Sequence, residues 1–144
     1  MSSGFPDFNK GYYFMGQKAG VMALKEWVSK LGAWKIFGTE AFVGAGSSLY
    51  KELYTVPSGK TYLLTDFFCN SKIHSGDIKA RLEYWASGSS AGAPIVDLYV
   101  TDVIIIDFAT PVTLFEGDTL KLWLKNDTST DTYIIAQVVG IEVS

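Results

Sequence analysis

Residues equipped for chemistry are scarce in this chain. His74 is the only histidine, so a two-histidine, one-carboxylate metal site cannot be built within one chain. It lies in a polar run, Asn70 to Asp77, that reads as a solvated loop. A serine triad needs that same imidazole, and no nucleophile elbow is found to carry the serine. Neither a Gly-x-Gly-x-x-Gly turn nor a Walker loop occurs, so nucleotide phosphates have no cradle.

The carboxylates offer more. Asp97, Asp102, Asp107, Glu116 and Asp118 fall near strand ends, where two facing acids would suit glycoside hydrolysis. With 15 acids in the chain such pairs are commonplace, and the signal is weak. Asp107 follows Val103-Ile104-Ile105-Ile106 and is expected to be partly buried; its plain role is a turn-forming Asp. Asn126, Asp127 and Asp131 cluster without EF-hand spacing, which favours hairpin-loop chemistry over calcium. Asn126-Asp127-Thr128 is formally a glycosylation sequon. Cys69, the sole cysteine, follows two phenylalanines and reads as a small buried hydrophobe. The expectation is therefore no catalytic residue, no cofactor and no metal.

Aromatic residues point to contact surface instead. They make up 15% of the chain, beside 48% hydrophobic and only 19% charged residues, which favours extra burial at an interface. Trp123 lies on the Lys121/Lys125 side of its strand, away from Leu120, Leu122 and Leu124. It and Trp85 are candidate interface anchors or sugar-stacking platforms, unless a loop or the N-terminal arm covers them. Phe5, Phe8, Tyr12, Tyr13 and Phe14 form an aromatic arm, expected to dock on its own domain or on a neighbour.

The elements that must position these residues are mostly strands. One helix is expected over 19–32, where Val21, Leu24, Val28 and Leu31 share a face and Gly32 suits the terminating position; a strand pair is the alternative. Residues 33–46 read as a short strand with Gly-rich ends. About eight strands are expected after residue 47, with turns every eight to twelve residues. Ile78, Ala80 and Leu82 alternate with Lys79, Arg81 and Glu83, which predicts one buried and one solvated face. Residues 95–108 read as two strands meeting at a bend or bulge. The last strand is apolar on both faces, and so either central in its sheet or pressed against another subunit.

This spacing predicts an all-β antiparallel sandwich of jelly-roll type, with an immunoglobulin-like sandwich second. The expected division is an arm, short helix and first strand over 1–47, then the jelly-roll domain over 48–144. A net charge of −3, with 12 dispersed Lys and Arg, argues against nucleic acid as a partner. No stretch reaches the roughly 18 apolar residues of a membrane span. The opening residues lack the pattern of a secretory signal, so synthesis in a cytoplasm is expected.

Two segments together resemble a known group. Tyr54 to Asp66 reads YTVPSGKTYLLTD, and Pro111 to Leu120 reads PVTLFEGDTL. This pattern, spread over roughly 49–143, resembles small jelly-roll structural proteins of tailed phages and related viruses: capsid decoration (cement) proteins and fibre or spike head domains. The resemblance implies trimers on a capsid lattice, arms reaching neighbouring subunits, a major capsid protein or other virion protein as partner, and a virion location. It supplies no catalytic residue. The expected function is a non-enzymatic virion structural protein, a decoration protein that self-associates. The alternatives are a carbohydrate- or receptor-binding module with a glycan partner, and an extracellular filament subunit whose N-terminal segment donates a strand to the next copy.

Overall fold

The computed structural model describes residues 32–73 and 76–144. The aromatic arm, residues 19–31 of the expected helix, and His74 lie outside the described residues. Eight strands run in order: β1 (Gly32–Val43), β2 (Ser48–Thr55), β3 (Thr61–Ser71), β4 (Ile78–Trp85), β5 (Ala93–Tyr99), β6 (Ile104–Leu114), β7 (Thr119–Asn126) and β8 (Thr132–Val143). They form two four-stranded antiparallel sheets, β1-β8-β3-β6 and β2-β7-β4-β5. The pairs β1·β8, β2·β7, β3·β6 and β4·β5 are those of one long ribbon folded at the β4–β5 turn and rolled over itself. That is the jelly-roll connectivity.

Hydrophobic alternation sets the layers. Ile78, Ala80 and Leu82 of β4 and Leu120, Leu122 and Leu124 of β7 are fully buried between the sheets. Tyr62, Leu64, Phe67 and Cys69 of β3 and Ile134, Ala136 and Val138 of β8 meet them from the other side. Burial drives the Cys69 thiol up to about 12, so it stays protonated and behaves as core. β8 lies between β1 and β3, which answers why it is apolar on both faces.

Three local expectations change. Gly32 opens β1, paired with Val143, and is not among the glycines of positive φ, so it does not form a left-handed helix cap. β1 continues for 12 residues, and Ala41 and Val43 enter the core, so the sandwich takes a strand from before residue 48 and seven from after it. Residues 95–108 do hold two strands, but β5 and β6 belong to different sheets, and the chain crosses between them at 100–103 in place of a bulge.

The two turn motifs lie side by side at one end of the sandwich. Pro57 to Lys60 closes with Lys60 N–H donating to the Pro57 carbonyl (3.2 Å), and Phe115 to Asp118 closes in the same way (2.9 Å). Each has glycine at its third position, Gly59 at φ 77° and Gly117 at φ 83°, as a type II turn demands. They are cross-tied: Gly117 N–H donates to Val56 O, Val56 N–H to Asp118 O, and Gly59 N–H to Glu116 Oε1. The Ser58 side chain and the Gly59 amide hold the Glu116 carboxyl below its usual range.

Candidate interaction surfaces

The outer faces of the two sheets differ in kind. On β2-β7-β4-β5, pairing aligns Tyr50, Trp123, Arg81 and Asp97 in one row, with Lys79 and Tyr99 in the next. Arg81 lies 4.5 Å from the centre of the Trp123 ring and Lys79 lies 5.9 Å from it. Lys121 sits 3.9 Å over Trp85. Cations packed on indole faces contribute about 0.5–1 kcal/mol each where exposed.

Glu83 departs from the alternation, which marks it as solvated; it is only 4% exposed. Its Oε2 accepts from Arg81 Nε (2.6 Å) and Tyr50 Oη (3.3 Å), and its Oε1 from Trp85 Nε1 (2.9 Å). Tyr50 comes from another strand, and its ring meets Trp85 edge-on at 6.3 Å. Three side chains from two strands thus donate to this one carboxylate. Trp85 and Trp123 are half-buried within this network. Gly92 of the β4–β5 loop also presses on Trp85, where a Cβ would come 2.2 Å from Nε1.

The outer face of β1-β8-β3-β6 carries several exposed large apolar side chains among polar ones such as Glu40 and Gln137. Trp34 (50% exposed), Ile36 (61%), Phe42 (52%), Tyr133 (41%) and Ile105 (72%) all lie on it. Phe42 and Tyr133 are direct cross-strand partners with ring centres 5.4 Å apart. Around Gly38 this face dips into a depression of about 360 Å³ lined by Ile36, Thr39, Glu40, Ile135 and Gln137. Sequence reading singled out neither Trp34 nor Ile36, because the strand carrying them was read as short and Gly-ended.

The candidate carboxylates do not assemble into a facing pair. Asp97 is 3.4 Å from Lys79 Nζ, and Asp102 Oδ1 accepts the Val103 amide (2.7 Å). Asp118 is buried and accepts from Tyr84 Oη (2.7 Å), Ser87 N–H (2.9 Å) and Phe115 N–H (2.8 Å). Burial opposes its ionisation, but these three donors outweigh it and hold the carboxyl below the usual range. Asp107, expected to be partly buried, is exposed on the edge strand β6 across from Asp66. Its four apolar predecessors do not enclose it, because β6 alternates between core and outside.

The acidic loop is also occupied. Asn126 is fully buried, its Nδ2 donating to Val43 O (3.0 Å) and Thr130 O (2.8 Å) and its Oδ1 accepting the Thr128 amide (2.9 Å). Asp131 accepts the Ala45 amide (2.8 Å), and Asp127 lies 3.4 Å from Lys125 Nζ. Among the described residues, no group of three or more His, Cys, Asp or Glu is placed to hold a metal. The letters Gly-x-Ser-x-Gly do occur, at Gly88 to Gly92, contrary to the reading that no elbow sequence exists. They lie in the loop joining two antiparallel strands, with no helix following, so Ser90 does not sit on an elbow.

No protein-family model matches this chain, and no curated protein sequence matches it. Solved structures do resemble it at low identity. A Yersinia pseudotuberculosis-derived mitogen is 12% identical, with 72% of this chain and 84% of the mitogen covered, at a TM-score of 0.47. The cyanophage Pam1 capsid asymmetric unit contains a chain 15% identical, with 76% and 85% covered, at 0.43. A pilus protein of Bacillus endospore appendages is 13% identical, with 79% and 94% covered, at 0.36. At these scores nothing is carried from them to this chain.

Proposed function

We propose that this chain is a non-enzymatic structural protein of a virion, a jelly-roll subunit that self-associates and decorates a capsid. One observation carries the reading: Trp34, Ile36, Phe42, Tyr133 and Ile105 are all exposed on one outer sheet face. A soluble domain rarely leaves such a face bare, and contiguous exposed apolar surface marks an interaction site. Asp97, Asp102 and Asp118 are held by Lys79, the Val103 amide and a trio of donors, which supports a surface over a reaction. The aromatic arm, Phe5 to Phe14, supplies further material for contact with a neighbouring subunit or a capsid protein.

Light scattering of the purified chain tests self-association. Oligomers, trimers being those the resemblance implies, support the reading; a clean monomer at high concentration overturns it. Binding to purified capsids, scored by co-sedimentation, tests the decoration role. The glycan-binding reading is disfavoured because Trp85 and Trp123 each already present a ring face to a cation. Glycan-array binding abolished by Trp123→Ala would reinstate it.

A further inference from the structure

A sheet edge is a row of unpaired N–H and C=O groups, and proteins blunt such edges with bulges, prolines and charges. Among the described residues, the sandwich has four edges: β1, β6, β2 and β5. β2 carries a register shift between Glu52 and Tyr54. β5 carries one opposite Leu82/Glu83 and begins with Pro94 as its second residue. β6 has the widest irregularity, where residues 108–111, including Pro111, stand against Thr65 alone. β1 has neither bulge nor proline, and its charges are Lys35 and Glu40 alone. It pairs with β8 over 12 consecutive residues without a shift, contains no proline, and exposes Trp34, Ile36 and Phe42.

We propose that β1 is the edge through which two copies of this chain join, antiparallel, about a two-fold axis at Gly38. The proposal rests on the self-associating reading and specifies the surface that serves it. A two-fold perpendicular to the sheet keeps outer face on outer face, so only residues of like parity come opposite one another. The Gly38 register sets Trp34 of each copy across from Phe42 of the other, an aromatic pair of the kind that stabilises sheets. It places Gly38 opposite itself, so no side chains crowd the axis. Lys35 falls across from Ala41 and Glu40 across from Ile36, so no like charges oppose. The product is a continuous eight-stranded sheet, and the apolar outer faces of both copies merge.

The test uses the full chain with Cys69→Ala as background. Directly opposed antiparallel residues hold their Cβ atoms about 4.5–5.5 Å apart, within reach of a disulfide after small adjustment. Trp34→Cys chains mixed with Phe42→Cys chains are expected to yield a mixed disulfide dimer under mild oxidation, while neither variant alone cross-links. Trp34→Lys and Phe42→Lys, both at exposed positions, are expected to weaken dimerisation about thirtyfold or more, as loss of an interface anchor does. If the wild-type chain is monomeric throughout, the self-association reading falls and this proposal with it. If it associates only as a trimer, which a single two-fold pairing cannot close, or gives no mixed disulfide and ignores both lysines, only the β1 pairing falls. Hydrogen exchange supplies a further outcome: β1 amides equally protected in a dilute monomer mean that the chain's own residues before Gly32 occupy the edge, which overturns the proposal.

Discussion

Asp118 gathers donors from a strand, a loop and its own turn, and so ties the β6–β7 turn to β4 and the residues after it. Its carboxyl is held below the ordinary range. The stability it supplies is therefore fully present above about pH 4 and is lost as pH falls through the folded-state value. Asp118→Asn is expected to lower stability by about 1.5–3 kcal/mol near neutrality, the range for hydrogen bonds to a charged group. Urea titrations at pH 7 and pH 3 check this, because the gap between variant and wild type narrows in acid. Tyrosines set the alkaline side. Burial and the hydrogen bond to Glu142 push Tyr54 upward, and burial with the nearby Tyr54 and two carboxylates pushes Tyr62 up. A phenol raised in the folded state stabilises below about pH 10 and ceases to as pH rises through the folded value. Tyr54 also stacks on Phe37 at 3.9 Å. Tyr54→Phe keeps that stack and is expected to flatten the loss of melting temperature above pH 10.

At the scale of elements, the interlocked turns are the most demanding parts. An alanine at position 117 would sit in a left-handed conformation, costing about 1–2 kcal/mol. Its Cβ would also fall 2.5 Å from Ser87 Oγ. Gly117→Ala is thus expected to destabilise by more than Gly46→Ala, whose Cβ meets nothing within 4 Å, and paired thermal melts give the comparison. How far the sequence speaks for itself follows the same lines. Strands β4 and β7 were legible because Ile78-Ala80-Leu82 and Leu120-Leu122-Leu124 alternate against charged residues in the strict period of a half-buried strand. The Glu116-Gly117-Asp118 turn was legible from its glycine. Its coupling to Val56 and Gly59 was not, since nothing local in either segment records the other. Glu83 shows the same limit: its burial depends on Tyr50, 33 residues earlier, and on rings arriving across strands. β1 was read short because Gly38 and the flanking glycines mimic loop chemistry, whereas pairing with β8 carries the strand through them.

For the molecule as a whole, the two outer faces divide the labour between a cation–aromatic lattice on one sheet and exposed large apolar side chains on the other. The sandwich is closed by β1, which contributes Ala41 and Val43 to the core and covers one side of β8. A chain beginning at residue 48 keeps seven strands yet leaves β8 with one neighbour. It is expected to lose its cooperative thermal transition, read by near-ultraviolet circular dichroism, whereas a chain beginning at residue 32 is expected to retain it. The position of β8 also fixes an order of events during synthesis. It is the last of the eight strands to leave the ribosome, yet it is the partner both β1 and β3 require. Until it arrives, β1 has no partner in its sheet and β3 has only β6, so that sheet stays open at its centre. Long-range pairing of this kind is slow and exposed to misassociation. Nascent chains stalled before residue 130 should stay open to protease, and those stalled with β8 clear of the exit tunnel should become resistant in a single step.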